Sequence, residues 1–274
     1  MTVSMHSTGK ASFDDIYDRP DPRAYCHRMN ELDYCIPELA KPAFLQQFSE
    51  FRSEFGREPT VLDLGCSYGV NAALMRFGVS MSELDEHYRD ADTATCIARD
   101  RARLASEDRI PGVRFIGMDA SAPALDYGAA TGLLHEIVHA DLESEDPNEN
   151  QRRILSQADL VISTGCIGYV TGRTLTRIVR ARETGLPWMA HFVLRMYPFT
   201  TIERELAALG YRTERRPGTF RQRRFASEEE QRQVCDTLAA NGIDPAGYES
   251  EGWLHAELYI SRPEASPSTP EDRP

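Results

Sequence analysis

The sequence predicts an α/β fold, a mainly parallel sheet with an antiparallel edge, and three observations carry that prediction. Residues 60–71 read as a buried strand that breaks into a glycine turn and opens a helix. Short apolar runs then alternate with helical patterns as far as Leu209. The chain closes on a strand pair, near 211–215 and 253–261, which supplies the antiparallel edge. With 274 residues, 41% of them hydrophobic, the chain can bury one large core, or one core with a small appended lid.

Taken in order, residues 1–12 are small and polar and have the composition of a disordered end. Residues 13–56 are rich in aromatics (Tyr25, Tyr34, Phe44, Phe48, Phe51), and Pro20, Pro22, Pro37 and Pro42 are expected to break them into short helices. In the first strand Asp63 stands two residues before the first of two glycines, Gly65 and Gly69, with Cys66, Ser67 and Tyr68 between them. Two residues without side chains let backbone approach a ligand, and the free N–H groups of the helix that follows, 71–77, aim at it. A phosphate loop would need Gly-Lys-Ser/Thr and a dinucleotide turn a third glycine, and neither is present.

Residues 82–108 have helical spacing and dense charge, and read as one or two inserted surface helices. The next strand, 113–119, ends in Asp119. The acid that meets ribose hydroxyls in such folds lies about 20 residues past the glycine turn, and the insertion accounts for the excess here. Asp85 is a weaker candidate, because no strand precedes it. A helix over 122–134, a strand over 137–141 ending in Asp141, a helix over 150–157 and a strand over 158–164 follow. The remaining elements are a helix over 173–183, a strand over 188–196, a helix over 201–209 and the final strand pair, seven strands in all. Residues 263–274 again have the composition of a disordered tail.

Ligands of open α/β sheets sit beyond the carboxyl ends of the strands, so Asp63, Asp119, Asp141, Thr164 and Arg195 are the first site candidates. One pattern competes: residues 135–139 (His-Glu-Ile-Val-His) fit a zinc-hydrolase helix motif. They straddle a helix end and a strand, where positions four apart cannot share a metal, so no metal site is expected.

The formal charge of −12, from 31 basic and 43 acidic residues, argues against a nucleic-acid partner. Arg212, Arg215, Arg216, Arg221, Arg223 and Arg224 are a local exception, read either as an anion grip or as a solvated, twisted hairpin. Six scattered cysteines without a paired spacing fit a reducing cytoplasm. No run approaches the roughly 18 apolar residues of a membrane span. The expected partner is a small molecule, with neither nucleic acid nor membrane, and a homodimer stays open.

The run from Val61 to Gly69 resembles motif I of the class I S-adenosylmethionine-dependent methyltransferases. The resemblance implies a Rossmann-like methyltransferase fold over 57–262, with the insertion at 82–108 and a helical lid at 13–56, and S-adenosylmethionine as cofactor. Gly65, Gly69 and the turn residues Cys66, Ser67 and Asn71 would underlie the methionine moiety, with Asp63 orienting the turn. Asp119 and Ala120 would meet the ribose, and Asp141 and Leu142 the adenine. Thr164, Gly165 and Tyr169 would face the sulfonium and the acceptor. Cys166 reads better as a small buried hydrophobe than as a nucleophile. His191 is the candidate base, and Tyr17, Arg195 and His255 are further candidates to touch the acceptor.

Residues 18–23 and 251–258 are similar to a group of bacterial methyltransferase-like proteins, near which stand azetidine-2-carboxylate synthases. That similarity implies an alternative to methyl transfer onto a small molecule, namely ring closure of the cofactor's aminobutyryl part with loss of methylthioadenosine. A zinc hydrolase and a non-enzymatic cofactor sensor complete the alternatives.

Overall fold

The computed structural model describes Ile16, residues 18–183 and residues 185–264. The expected disordered end 1–12, and 265–274 of the expected tail, lie outside the described residues. In chain order the elements are α1 (Arg23–Glu31), α2 (Ile36–Phe55), β1 (Thr60–Leu64), α3 (Val70–Phe77), α4 (Met81–Tyr88), α5 (Thr93–Glu107), β2 (Arg114–Asp119), α6 (Ala122–Thr131) and β3 (Glu136–His139). They continue with α7 (Glu149–Leu155), β4 (Leu160–Thr164), α8 (Gly172–Arg180), β5 (Trp188–Leu194), α9 (Thr200–Ala208), β6 (Tyr211–Arg215), β7 (Phe220–Arg224), α10 (Glu228–Ala240) and β8 (Trp253–Pro263).

All strands join one sheet in the order β3-β2-β1-β4-β5-β8-β6, with β7 also paired to β8. Parallel pairing puts Val61 of β1 opposite Phe115 on one side and Leu160 on the other. The winding therefore reverses between β1 and β4, and the reversal opens a crevice at their carboxyl ends. The expected antiparallel edge is present, since β8 runs against β5, β6 and β7.

The sheet is seven strand positions wide, as expected, but its last position is split into β6 and β7, and the arginine-rich stretch is not a hairpin. β6 lies opposite β8 from Pro263 to Tyr259 and β7 from Ala256 to Trp253, both in the same direction. They are one edge strand interrupted at 216–219, where Pro217 has no N–H for the ladder and Gly218 adopts φ +94°. Its polar reading, Phe-Arg-Gln-Arg-Arg, concealed it. The unanticipated α10 starts at Ser227, whose hydroxyl accepts from the Glu230 N–H at 3.1 Å, with three acids in its first turn complementing the helix dipole.

The two-residue period of the strands sorts the core by face. Val61, Phe115, Ile162, Ala190 and Phe192 point to the layer formed by α2 to α6, whereas Leu62, Ile116, Val161, Met189 and Val193 point to α7, α8 and α9. The expected proline breaks in 36–55 do not occur: α2 is one helix of 20 residues. Pro37 sits in its first turn, where an N–H would be unpaired anyway. Ile36, Ala40, Phe44, Phe48 and Phe51 form an apolar stripe along it. Phe44 meets Phe192, Phe48 meets Phe115 and Phe51 meets Trp188, all edge-on at ring separations of 5.6 to 6.3 Å. The second half of the segment read as a lid thus packs on the sheet, and only residues before Ile36 reach the crevice.

The inserted helices α4 and α5 are held by a buried carboxylate. Asp100, fully buried, accepts from Tyr127 at 2.7 Å and Tyr88 at 3.0 Å and meets His87 Nε2 at 2.8 Å. No described helix is long and apolar enough to cross a membrane.

Candidate active site

The crevice holds a cavity of about 480 Å³. Its floor is the turn after β1. Gly65 adopts φ +71° and Gly69, which caps α3, φ +80°. A Cβ on Gly65 would stand 2.7 Å from the Cβ of Cys166, so both the backbone conformation and the crowding exclude a side chain there. Ser67 adopts φ +50°, uncommon for a residue with a side chain, and its N–H is held by Asp119 Oδ2 at 2.8 Å. The Ser67 hydroxyl is buried without a hydrogen-bond partner. Tyr68, also from this turn, fastens the N-terminal segment: its hydroxyl donates to the carbonyls of Ile16 at 3.1 Å or Arg19 at 3.0 Å and accepts from the Arg19 N–H at 3.2 Å.

Of the candidates named from sequence, Gly65, Ser67, Asp119, Ala120, Asp141, Leu142, Thr164, Gly165 and Tyr169 line this cavity. Asp119 accepts the Ser67 N–H and, through Oδ1, the Ser121 N–H at 3.0 Å. Burial raises its pKa against the pull of these donors. A third backbone N–H, that of Ala120, also donates to this carboxylate, and a carboxylate has about four acceptor positions, so Asp119 can also accept from a ligand. Asp141 caps its own turn, accepting from the Ser144 hydroxyl and the Glu143 N–H, while it lines the cavity.

Asp63, Cys66, Gly69 and Asn71 stand behind the lining. Asp63 is fully buried, and its Oδ1 accepts from Asn71 Nδ2 at 2.9 Å while Oδ2 has no partner. Burial pushes its pKa up to about 7. Asn71 Nδ2 also reaches Thr164 Oγ1 at 3.2 Å, so one amide ties the ends of β1 and β4 to α3. The Cys66 thiol packs beside Gly117 of β2.

Three candidates are placed elsewhere, and the reading of them as reaction or acceptor contacts is corrected. His191 alternates on the strand face covered by α9, fully buried, with Nδ1 2.8 Å from Ser163 Oγ. Burial depresses its pKa to about 3, leaving it a neutral structural histidine. Arg195 is committed to Glu249 at 2.5 Å and to the Asp244 carbonyl at 2.9 Å. His255 packs edge-on to Tyr248 at 5.3 Å, outside the cavity. Tyr17 lies outside the described residues.

The sequence did not single out Asp18, Tyr25, Met29, Tyr34, Ser121, Glu143 or Gln222 as lining, and of the arginines read as an anion grip or a hairpin Arg223 lines the cavity. The aromatic richness of 13–56 was a signal for Tyr25 and Tyr34. Nothing in the arginine-rich run pointed to Gln222. Cys166, set aside as a small hydrophobe, is half-buried against Gly65 and donates its thiol proton to the Leu64 carbonyl at 3.2 Å. The 135–139 pattern lies at and within strand β3, and among the described residues no group of three or more His, Cys, Asp or Glu is placed to hold a metal.

Asp119→Asn tests the central acid. It removes the charge and replaces one acceptor oxygen by an NH2 donor while keeping the shape, and is expected to weaken binding of S-adenosylhomocysteine about tenfold or more, in line with a hydrogen bond to a charged group. Calorimetry showing unchanged affinity would remove Asp119 from the binding set.

No family model and no curated protein matches this sequence. Among solved structures the chain is similar to a functionally unknown protein from Deinococcus radiodurans R1, at 15% identity over 85% of this chain and 90% of that one, TM-score 0.44. It is similar to the plantazolicin methyltransferase BpumL solved with a triazolic desmethylPZN analog and SAH, at 11% identity over 84% and 85%, TM-score 0.42. It is also similar to magnesium protoporphyrin IX methyltransferase from Synechocystis PCC 6803 with bound SAM, at 10% identity over 82% and 78%, TM-score 0.40. By its own strand order, with the reversal at β1 and β4 and the antiparallel strand inserted next to the edge, the chain has a Rossmann-like α/β fold of the methyltransferase type.

Proposed function

We propose that the protein transfers the methyl group of S-adenosylmethionine to a small molecule in a reducing cytoplasm. One observation carries the reading: the turn 65–69 floors a cavity whose rim is formed by acids at the next two strand ends, Asp119 and Asp141. The residues present fit this cofactor. Gly65 provides a cradle that a Cβ would fill, and Ser67 Oγ, on the lining, is a buried polar atom without a partner. In this reading Asp119 accepts from the ribose hydroxyls, Asp141 from the adenine amine, and Gly65 and Ser67 underlie the methionine part. The cofactor supplies an activated methyl group on a sulfonium.

What remains for the chain is alignment and exclusion of water. Tyr169 offers the face of its ring to a cation, and Tyr25, Met29 and Tyr34 wall the far side. With His191 buried elsewhere, the reading favours an acceptor atom that carries no proton at neutral pH or loses it directly to solvent.

A second reading, ring closure within the cofactor, is favoured by that same wall of Tyr25, Met29 and Tyr34. The α-amine would attack the γ-carbon, the carbon–sulfur bond would break, methylthioadenosine would leave and the amine would lose a proton to water. Two measurements decide. Calorimetry is expected to detect S-adenosylhomocysteine, and absence of binding at millimolar ligand would sink both readings. Purified protein incubated with S-adenosylmethionine alone is expected to leave it intact until an acceptor-containing extract is added. Stoichiometric methylthioadenosine and azetidine-2-carboxylate, suppressed in Tyr169→Ala, would replace methyl transfer by cyclisation. Binding with neither product would leave a non-enzymatic sensor.

A further inference from the structure

Beyond β4 the cavity is walled by Tyr25, Met29, Tyr34, Tyr169 and one amide, that of Gln222. Gln222 reaches this wall through a defect in the edge strand. Arg221 pairs with His255 and Arg223 with Leu254, so Gln222 is the extra residue of a β-bulge. A bulge re-aims a side chain, and here two consecutive residues, Gln222 and Arg223, are both buried, where a regular strand would turn one outward.

Neighbouring elements fix the bulge. The Gln222 carbonyl accepts the Cys35 N–H at 2.9 Å, and the Arg224 N–H donates to the Leu32 carbonyl at 2.8 Å. Arg223 is locked to Glu230 by two hydrogen bonds of 2.6 and 2.9 Å, so its charge is compensated inside the wall. The Gln222 amide lies over Gly165, where an added Cβ would come within 2.2 Å of Nε2. Gln222 is 2% exposed, yet its Oε1 has no hydrogen-bond partner. An unpaired buried acceptor is unfavourable, and its position on the cavity wall gives it a use.

We infer that Gln222 selects the acceptor, taking an N–H or O–H from an aromatic molecule held among Tyr25, Tyr34 and Tyr169. The inference rests on the methyltransferase reading and adds a substrate class to it: a small planar aromatic bearing a hydrogen-bond donor. The terminal torsion of glutamine is broad, so the oxygen turns to the cavity when a donor occupies it. A site with such a buried acceptor discriminates against analogues that lack the donor, because they leave the oxygen unpaired.

Matched aromatic pairs test this, phenol against anisole and indole against 1-methylindole, titrated by ligand-observed NMR into protein saturated with S-adenosylhomocysteine. The donor-bearing member of each pair is expected to bind at least fivefold tighter. Gln222→Leu should erase that preference, and Gln222→Glu, which keeps an acceptor oxygen, should retain it. If Gln222→Leu fails to fold, Gln222→Met, a flexible side chain of similar length, takes its place. Equal affinities within each pair in the unsubstituted protein, a preference that survives the apolar substitution, or failure of all four compounds to bind would each overturn the inference. Failure of S-adenosylhomocysteine itself to bind is a different result, and would overturn the methyltransferase reading together with the inference.

Discussion

Gly65→Arg is expected to lower the affinity for S-adenosylhomocysteine at least a thousandfold, about 4 kcal/mol, when measured by calorimetry on folded protein. Two independent effects act at this position. The φ of +71° puts any side chain in the left-handed region, at a cost of roughly 1–2 kcal/mol. A Cβ there would also lie 2.7 Å from Cys166, and the rest of an arginine would have to occupy the cavity that Gly65 lines. Gly247→Arg separates the two effects, since Gly247 has φ +75° but nothing within 4 Å of the added Cβ. It should cost stability of the same order and leave binding intact. Wild-type affinity in folded Gly65→Arg would show that the turn after β1 does not floor the binding site.

The fold was legible in this sequence because its parallel strands are buried on both faces and read as unbroken apolar runs between turn residues. Phe115 to Met118 and Leu160 to Ile162 are of this kind, and Val61 to Leu64 departs from it at Asp63. β7 was not, because it lies at the edge of the sheet and its register slips at Gln222, which removes the alternation that would have revealed it. The strand-end half of the cavity was legible for a related reason. Gly65, Asp119 and Asp141 sit at or just past strand ends, where position along the chain fixes position in space. The other half is assembled from α1, the segment before α2, and an edge strand far along the chain, and only tertiary packing brings Tyr25, Tyr34 and Gln222 together. His191 failed as a candidate for a local reason: along β5 the faces alternate, and it shares the face of Met189 and Val193, covered by α9.

Asp63 is expected to make stability depend on pH in the sense opposite to most carboxylates. It is fully buried beneath the turn, Oδ2 has no partner, and burial pushes its pKa up to about 7 from an ordinary 3.8. Between those values the folded protein holds a proton that the unfolded chain has released. Stability from this group is therefore present in full below about pH 4, falls as pH rises toward 7, and is lost above it. A shift of this size corresponds to about 4 kcal/mol over the whole window, of which about 2.5 kcal/mol falls between pH 5 and pH 8. The wild-type profile alone does not isolate it. His191, depressed to about 3, acts with the opposite sign, because the unfolded chain gains a proton below pH 6.5 that the folded protein refuses. The difference between the wild-type and Asp63→Asn profiles removes His191 and every other group that is not coupled to Asp63, as the nearby Asp119 is. Urea unfolding at pH 5 and pH 8 should show the substituted protein gaining about 2.5 kcal/mol relative to wild type as pH rises. A difference that stays constant across the range would mean that Asp63 is ionised in the folded state throughout, with a partner for Oδ2.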